Sequence, residues 1–183
     1  AQGVRGHLRL AGIPSDGGAE GATTAMKNVR AALTRNPQDS KTWVDYGNLL
    51  WGAQQAGLAK IAYERALELK PAESGALNNL SVLRLGGESQ EDWRTAGDAA
   101  ASFEAVLAKD GDFLPAHFNI AALYNYYRLF SRAQSHWQRV VAHAPSADAW
   151  DGVAIADQGI GQSVRSQESF RKAEAAGADA RRF

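Results

Sequence analysis

Pro37 and Pro71 stand 34 residues apart, and Pro145 falls 34 residues after Gly111. A fixed period of this length marks a chain assembled from stacked helix–turn–helix units, none of which can bury its apolar face alone. Between the punctuation marks one pattern returns. Trp43, Tyr46, Gly47 and Leu50 lie at 0, +3, +4 and +7, which is one face of a helix. Ala59, Tyr63 and Ala66 follow at helical spacing and stop at Pro71. A later unit repeats the arrangement with His117, Ile120, Ala121 and Tyr124, then Ala133, Trp137 and Val140, closed by Pro145. Large side chains on a first helix fill the gap to a second, while Gly47, Ala121, Ala59 and Ala133 let the backbones approach. No periodic strand segment competes with this reading.

What the chain lacks narrows the chemistry. It has 183 residues with 20 Lys+Arg against 20 Asp+Glu, and no cysteine. A balanced charge argues against gripping nucleic acid, which needs excess Lys and Arg. Without cysteine there is no disulfide framework, thiolate zinc site or cysteine nucleophile. His7, His117, His136 and His143 form no metal-binding pair on one helix face. There is no phosphate loop and no G-x-S-x-G elbow, and Gly159-Ile160-Gly161 follows no strand, so it is not a dinucleotide fingerprint. The expectation is a non-enzyme with no cofactor and no metal. No run of about 18 apolar residues suggests a membrane span.

The repeat resembles the tetratricopeptide (TPR) family, whose signature runs W-x2-L-G-x2-Y, A-x3-F, P. Residues 40–73 carry the bulky and small positions nearly as that pattern demands, and residues 114–147 keep the spacing with His117 in the leading place. Residues 74–113 hold Leu77, Leu80 and Ser81, then Ala99, Phe103 and Val106, with about six extra residues within 86–97. Residues 148–180 run from Trp150, Val153 and Ala154 to Ser166, Phe170 and Ala173. Upstream, Ala25, Val29, Ala32 and Pro37 match the second half of a unit over residues 22–37. The resemblance implies an all-α, right-handed α-solenoid of antiparallel helix pairs, four units and a preceding half, with first helices lining a concave groove.

In such families the residues one, two, five and eight or nine after the leading anchor tend to face the groove. Two places after the anchor stand Asp45, Asn79, Asn119 and Gly152. The asparagines resemble part of the asparagine ladder of the O-linked N-acetylglucosamine transferase superhelix, which grips an extended peptide by its backbone. A carboxamide offers donors and an acceptor to any residue's main chain, whatever the side chain; alternatively Asn79 and Asn119 bond neighbouring helices. Further candidates for the groove are Asn48, Trp51, Asn78, Leu85, Phe118, Asn125, Tyr126 and Gln158, with Trp51, Phe118 and Tyr126 as apolar pockets or, otherwise, packing aromatics. No Lys joins Asn78 to build the dicarboxylate clamp of heat-shock co-chaperones. The implied partner is a protein or peptide segment.

The ends depart from the pattern. Residues 1–21 contain six glycines and read either as a flexible tail or as a segment that docks through Leu8, Leu10 and Ile13, in cis or on another copy, so self-association is the second expected partnership. Residues 181–183 read as a C-terminal tail. The stretch from Gly86 to Arg94 reads as an early helix start, with Ser89 as N-cap and Trp93 packing inward, or else as a protruding contact. The opening Ala1-Gln2-Gly3 fits cleavage of a secretory signal after a small residue, which suggests a periplasmic or otherwise exported protein, with the cytoplasm as the alternative. The run Leu33–Asp39 before Trp43, the stretched unit and Trp137 resemble periplasmic TPR subunits of c-type cytochrome maturation. The functional expectation is therefore an adaptor that captures an extended segment in its groove. A cytochrome-maturation subunit or a self-assembling scaffold is the alternative.

Overall fold

A computed structural model describes residues 8, 9, 11, 19–87 and 93–180. These residues form helices and turns, with no strand among them. The chain divides into two compact units, Leu10–Glu88 and Ser89–Phe183 with Ala1–Arg9. The division falls in the stretched unit of residues 74–113. The first unit holds α1 (Ala19–Arg35), α2 (Ser40–Gly52), α3 (Ala56–Leu69) and α4 (Ser74–Gly87). The second holds α5 (Trp93–Lys109), α6 (Leu114–Tyr126), α7 (Phe130–His143), α8 (Ala147–Gly159) and α9 (Ser163–Ala180). Within each unit successive helices pack on one another. The expected features at Leu10, Ile13, Ser89–Asp92, the Trp93 side chain and residues 181–183 lie outside the described structure.

In the first unit Leu50, Ala59, Ala62, Tyr63, Ala66, Ala76 and Leu80 make the core, with Trp43, Tyr46 and Trp51 packed at its edge. Gly47 shows why the repeat needs a small residue there, since a Cβ would lie 2.4 Å from the Tyr63 ring. In the second unit Gly152 and Gly159 do the same for Trp137 and Phe130, at 2.3 and 2.1 Å.

The leading anchors fasten the turn before them. Trp43 Nε1–H donates to the Pro37 carbonyl at 2.8 Å, and His117 Nε2 bonds the Gly111 carbonyl at 2.9 Å, also six residues upstream. A carbonyl only accepts, so His117 carries a proton on Nε2, and its Nδ1 shares a further hydrogen bond with His136 Nδ1, 2.8 Å away. Histidine thus replaces tryptophan at the anchor without losing the bond.

That pair makes stability depend on pH. Burial, and then the neighbouring His117, hold the His136 imidazole below its ordinary value, while Glu104 pulls the other way. Glu104 accepts from the Tyr124 hydroxyl at 2.7 Å, and the Arg132 guanidinium lies over the Tyr124 ring at 5.9 Å. On acidification the unfolded chain takes up a proton at His136 before the folded one does. The contribution is therefore complete above the ordinary value of 6.5 and is lost as pH falls through the lowered folded value. The melting temperature should drop as pH falls below the ordinary value of 6.5, and His136→Gln should flatten that drop. An equally steep profile in the variant would exclude His136 as its source.

Three helix–helix turns share one geometry. Gln54 and Arg128 sit at φ 61° and Gly161 at φ 82°. The following N–H reaches back in each turn: Gln55 to the Leu50 carbonyl, Leu129 to Tyr124 and Gln162 to Asp157, at 2.8–2.9 Å. Glycine relieves roughly 1–2 kcal/mol of left-handed strain but adds about 0.4–1 kcal/mol of unfolded-chain entropy. Gln54→Gly and Arg128→Gly should therefore each stabilise by about 0.5 kcal/mol in urea titrations. Gly161→Ala should do the reverse.

Candidate functional site

Each unit holds one residue of the N-terminal segment by its main chain. In the second unit Asn119, on α6, accepts the Arg9 N–H at Oδ1 (2.6 Å) and donates Nδ2–H to the Arg9 carbonyl (2.7 Å). One carboxamide therefore satisfies both main-chain groups of one residue, as a neighbouring strand would. In the first unit Asn79, on α4, does the same for Ala11, at 2.7 Å to the N–H and 3.2 Å to the carbonyl. Asn48 Nδ2 supplies a second bond to the Ala11 carbonyl at 2.8 Å.

The amides are oriented from behind. The Tyr63 hydroxyl donates to Asn48 Oδ1 at 2.8 Å, and Asn79 Nδ2 donates to the same oxygen at 2.7 Å. With its oxygen engaged, Asn48 can present only its NH2 to Ala11. Asn78 Nδ2 donates to Asn79 Oδ1 at 2.9 Å, which likewise turns that oxygen toward the Ala11 N–H. Burial pushes the Tyr63 hydroxyl well above its ordinary value, so it remains a donor throughout the working pH range. Asn48, Asn78, Asn79 and Asn119 are all buried. Buried carboxamides hold their hydrogen bonds away from competing water, which makes each bond count for more and an unmade one costly.

The second unit also touches the Arg9 side chain. Its guanidinium lies 4.5 Å from the centre of the Phe118 ring and pairs with the Asp148 carboxylate. Phe118 is itself braced edge-on by Trp137, with ring centres 4.8 Å apart.

The other groove candidates are distributed differently. Asp45 and Gln158 are exposed, and Leu85 is half-buried. Trp51 packs against the core of the first unit. Asn125 donates to the Gly152 carbonyl of α8 at 2.8 Å and so bonds a neighbouring helix. Tyr126 is 45% exposed, with its ring edge-on to Tyr127. Gly152 places no side chain in the register shared by Asn79 and Asn119, because the Trp137 ring fills that space. Sequence reasoning missed Asp148, Arg9 and the support from Tyr63. The last was detectable, because a glycine at position 47 opposite a tyrosine at 63 is a matched pair in the repeat. Among the described residues no group of three or more His, Asp or Glu could hold a metal ion, and no helix is long and apolar enough to cross a membrane.

No family model matches the chain, and no curated protein matches it. Solved structures do. A crystal structure of MamA superposes with a TM-score of 0.63 at 14% identity, covering 90% of this chain and 93% of that one. A thermophilic TPR protein of Thermus thermophilus gives 0.67 at 14% identity, with 86% and 84% covered. The chain has the tetratricopeptide-repeat fold. PilW, a widely conserved type IV pilus biogenesis factor, matches at 0.68 and 18% identity over 87% of this chain and 71% of that one. The fold is thus an all-α helical-repeat solenoid.

Proposed function

We propose that this protein is a non-catalytic adaptor that captures partner protein segments by their main chain, with Asn119 as the capturing residue of one unit and Asn79 with Asn48 as those of the other, each unit acting by itself. The observation that carries this reading is the two-point bonding of the Arg9 and Ala11 main chain by carboxamides at equivalent register positions of two repeats. Main-chain bonding of this kind tolerates varied side chains, which suits a site meant for segments of other proteins. Residues 9 and 11 are then a resident segment that a partner displaces, favoured over a free peptide by its tether.

Hydrogen exchange tests this on the intact chain. The Arg9 amide should be protected, and Asn119→Ala should bring it near the rate of a free peptide, since its main-chain partner is lost. An excess of a peptide copying residues 3–14 should also deprotect the resident Arg9 amide as it takes the site. Full protection at millimolar peptide would make the contact a permanent internal lock and end the adaptor reading.

A further inference from the structure

Phe118 and Asn119 are consecutive on α6, and they meet different parts of one residue. Asn119 takes the Arg9 main chain at 2.6 and 2.7 Å, while Phe118 lies under its guanidinium at 4.5 Å. Asp148, in the first turn of α8, closes on the same guanidinium. All these groups belong to one unit. Phe118 is braced edge-on by Trp137, which holds its ring independently of Arg9.

The geometry points to an arginine subsite: the partner segments this protein prefers carry an arginine at the residue whose main chain Asn119 holds. The inference rests on the capture reading above and adds a side-chain requirement to it. A planar guanidinium satisfies both features together, stacking its face on Phe118 while its edge reaches the carboxylate. A lysine ammonium is a compact, strongly hydrated charge with no plane to stack, so it retains the ion pair and loses part of the aromatic contact. The Arg9 and Asp148 side chains are 48% and 64% exposed, which keeps the ion pair weak. The subsite is therefore a selector of modest strength on top of main-chain binding. Stacking and pairing together favour arginine over alanine by roughly tenfold, and over lysine by about threefold.

The test uses the full-length chain carrying Arg9→Glu, which turns the resident segment against Asp148 and opens the site. Three fluorescent peptides copying residues 3–14 are titrated into it, one with the natural arginine, one with lysine and one with alanine in its place. The arginine peptide should bind most tightly, lysine intermediate and alanine weakest. Adding Asp148→Asn, a change at an exposed side chain, should shrink the arginine-over-alanine ratio to about threefold or less. Equal binding of the three peptides overturns the arginine subsite and leaves main-chain capture standing. A ratio untouched by Asp148→Asn overturns the role given to that carboxylate. Binding by none of the peptides overturns the subsite and main-chain capture of free segments together.

Discussion

Asn79→Ala should destabilise the Leu10–Glu88 unit by about 2–4 kcal/mol, one of the two largest losses expected of any single substitution in this chain. Asn79 is fully buried, and its carboxamide joins Asn48, Asn78 and both main-chain groups of Ala11. The size follows from what stays behind. Removing both partners of a buried hydrogen bond is close to neutral, whereas removing one strands the other. Alanine strands the Ala11 N–H and takes an acceptor from the Asn78 NH2, in a space that also loses packing. Asn48 is spared, because the Tyr63 hydroxyl still holds its oxygen. Urea unfolding of the intact chain should show the loss, and hydrogen exchange should show the Ala11 amide exposed. A loss below about 1 kcal/mol would mean that water replaces the amide without cost, and the network would be wrongly drawn. Asn79 thus carries stability as well as capture, and Asn119→Ala is the cleaner probe of binding.

The fold was legible because packing imposes the repeat. Gly47 must be small for the Tyr63 ring to lie on it, and Ala59, Ala66 and Ala133 are buried where helices meet, so residue size recurs with the unit. His117 looked like a break in the pattern, yet it keeps the anchor's bond to the carbonyl six residues back. The extra residues of the unit at 74–113 were visible as a change of spacing, and the boundary between the two compact units lies among them. The candidate site was legible only in part. Register alone singles out Asn48, Asn79 and Asn119, because helical periodicity fixes which side each side chain takes. It says nothing of Arg9 or Ala11, which belong to a segment too short and too glycine-rich to have a period. Asp148 escaped for a related reason: it precedes the Trp150 anchor, and its importance comes from a residue 139 positions away. Trp51 and Asn125 show the opposite limit. Both stand at the register place eight after an anchor, and one packs on a core while the other bonds a neighbouring helix.

The register that carries Asn79 and Asn119 has a gap at Gly152, which invites completing the series with Gly152→Asn. That substitution should cost about 3 kcal/mol and create no new clamp. Helix propensity argues weakly the other way, since asparagine is a few tenths of a kcal/mol better than glycine inside a helix. Sterics decide the matter. A Cβ at position 152 would come within 2.3–2.7 Å of three Trp137 ring atoms, and Trp137 is only 3% exposed, with nowhere to retreat. The displacement would spread in two directions. Trp137 braces Phe118, so the ring beneath the Arg9 guanidinium would move, and the Gly152 carbonyl that receives Asn125 would shift with its helix. Arg9 amide protection should therefore fall together with thermal stability, although position 152 touches neither group of Arg9. Gly152→Ala, which adds only the Cβ, should show the same pair of effects at roughly half the size. If Gly152→Asn instead raises the melting temperature and leaves Arg9 protected, the tryptophan is not packed against the helix backbone as described, and the gap was open to a further rung.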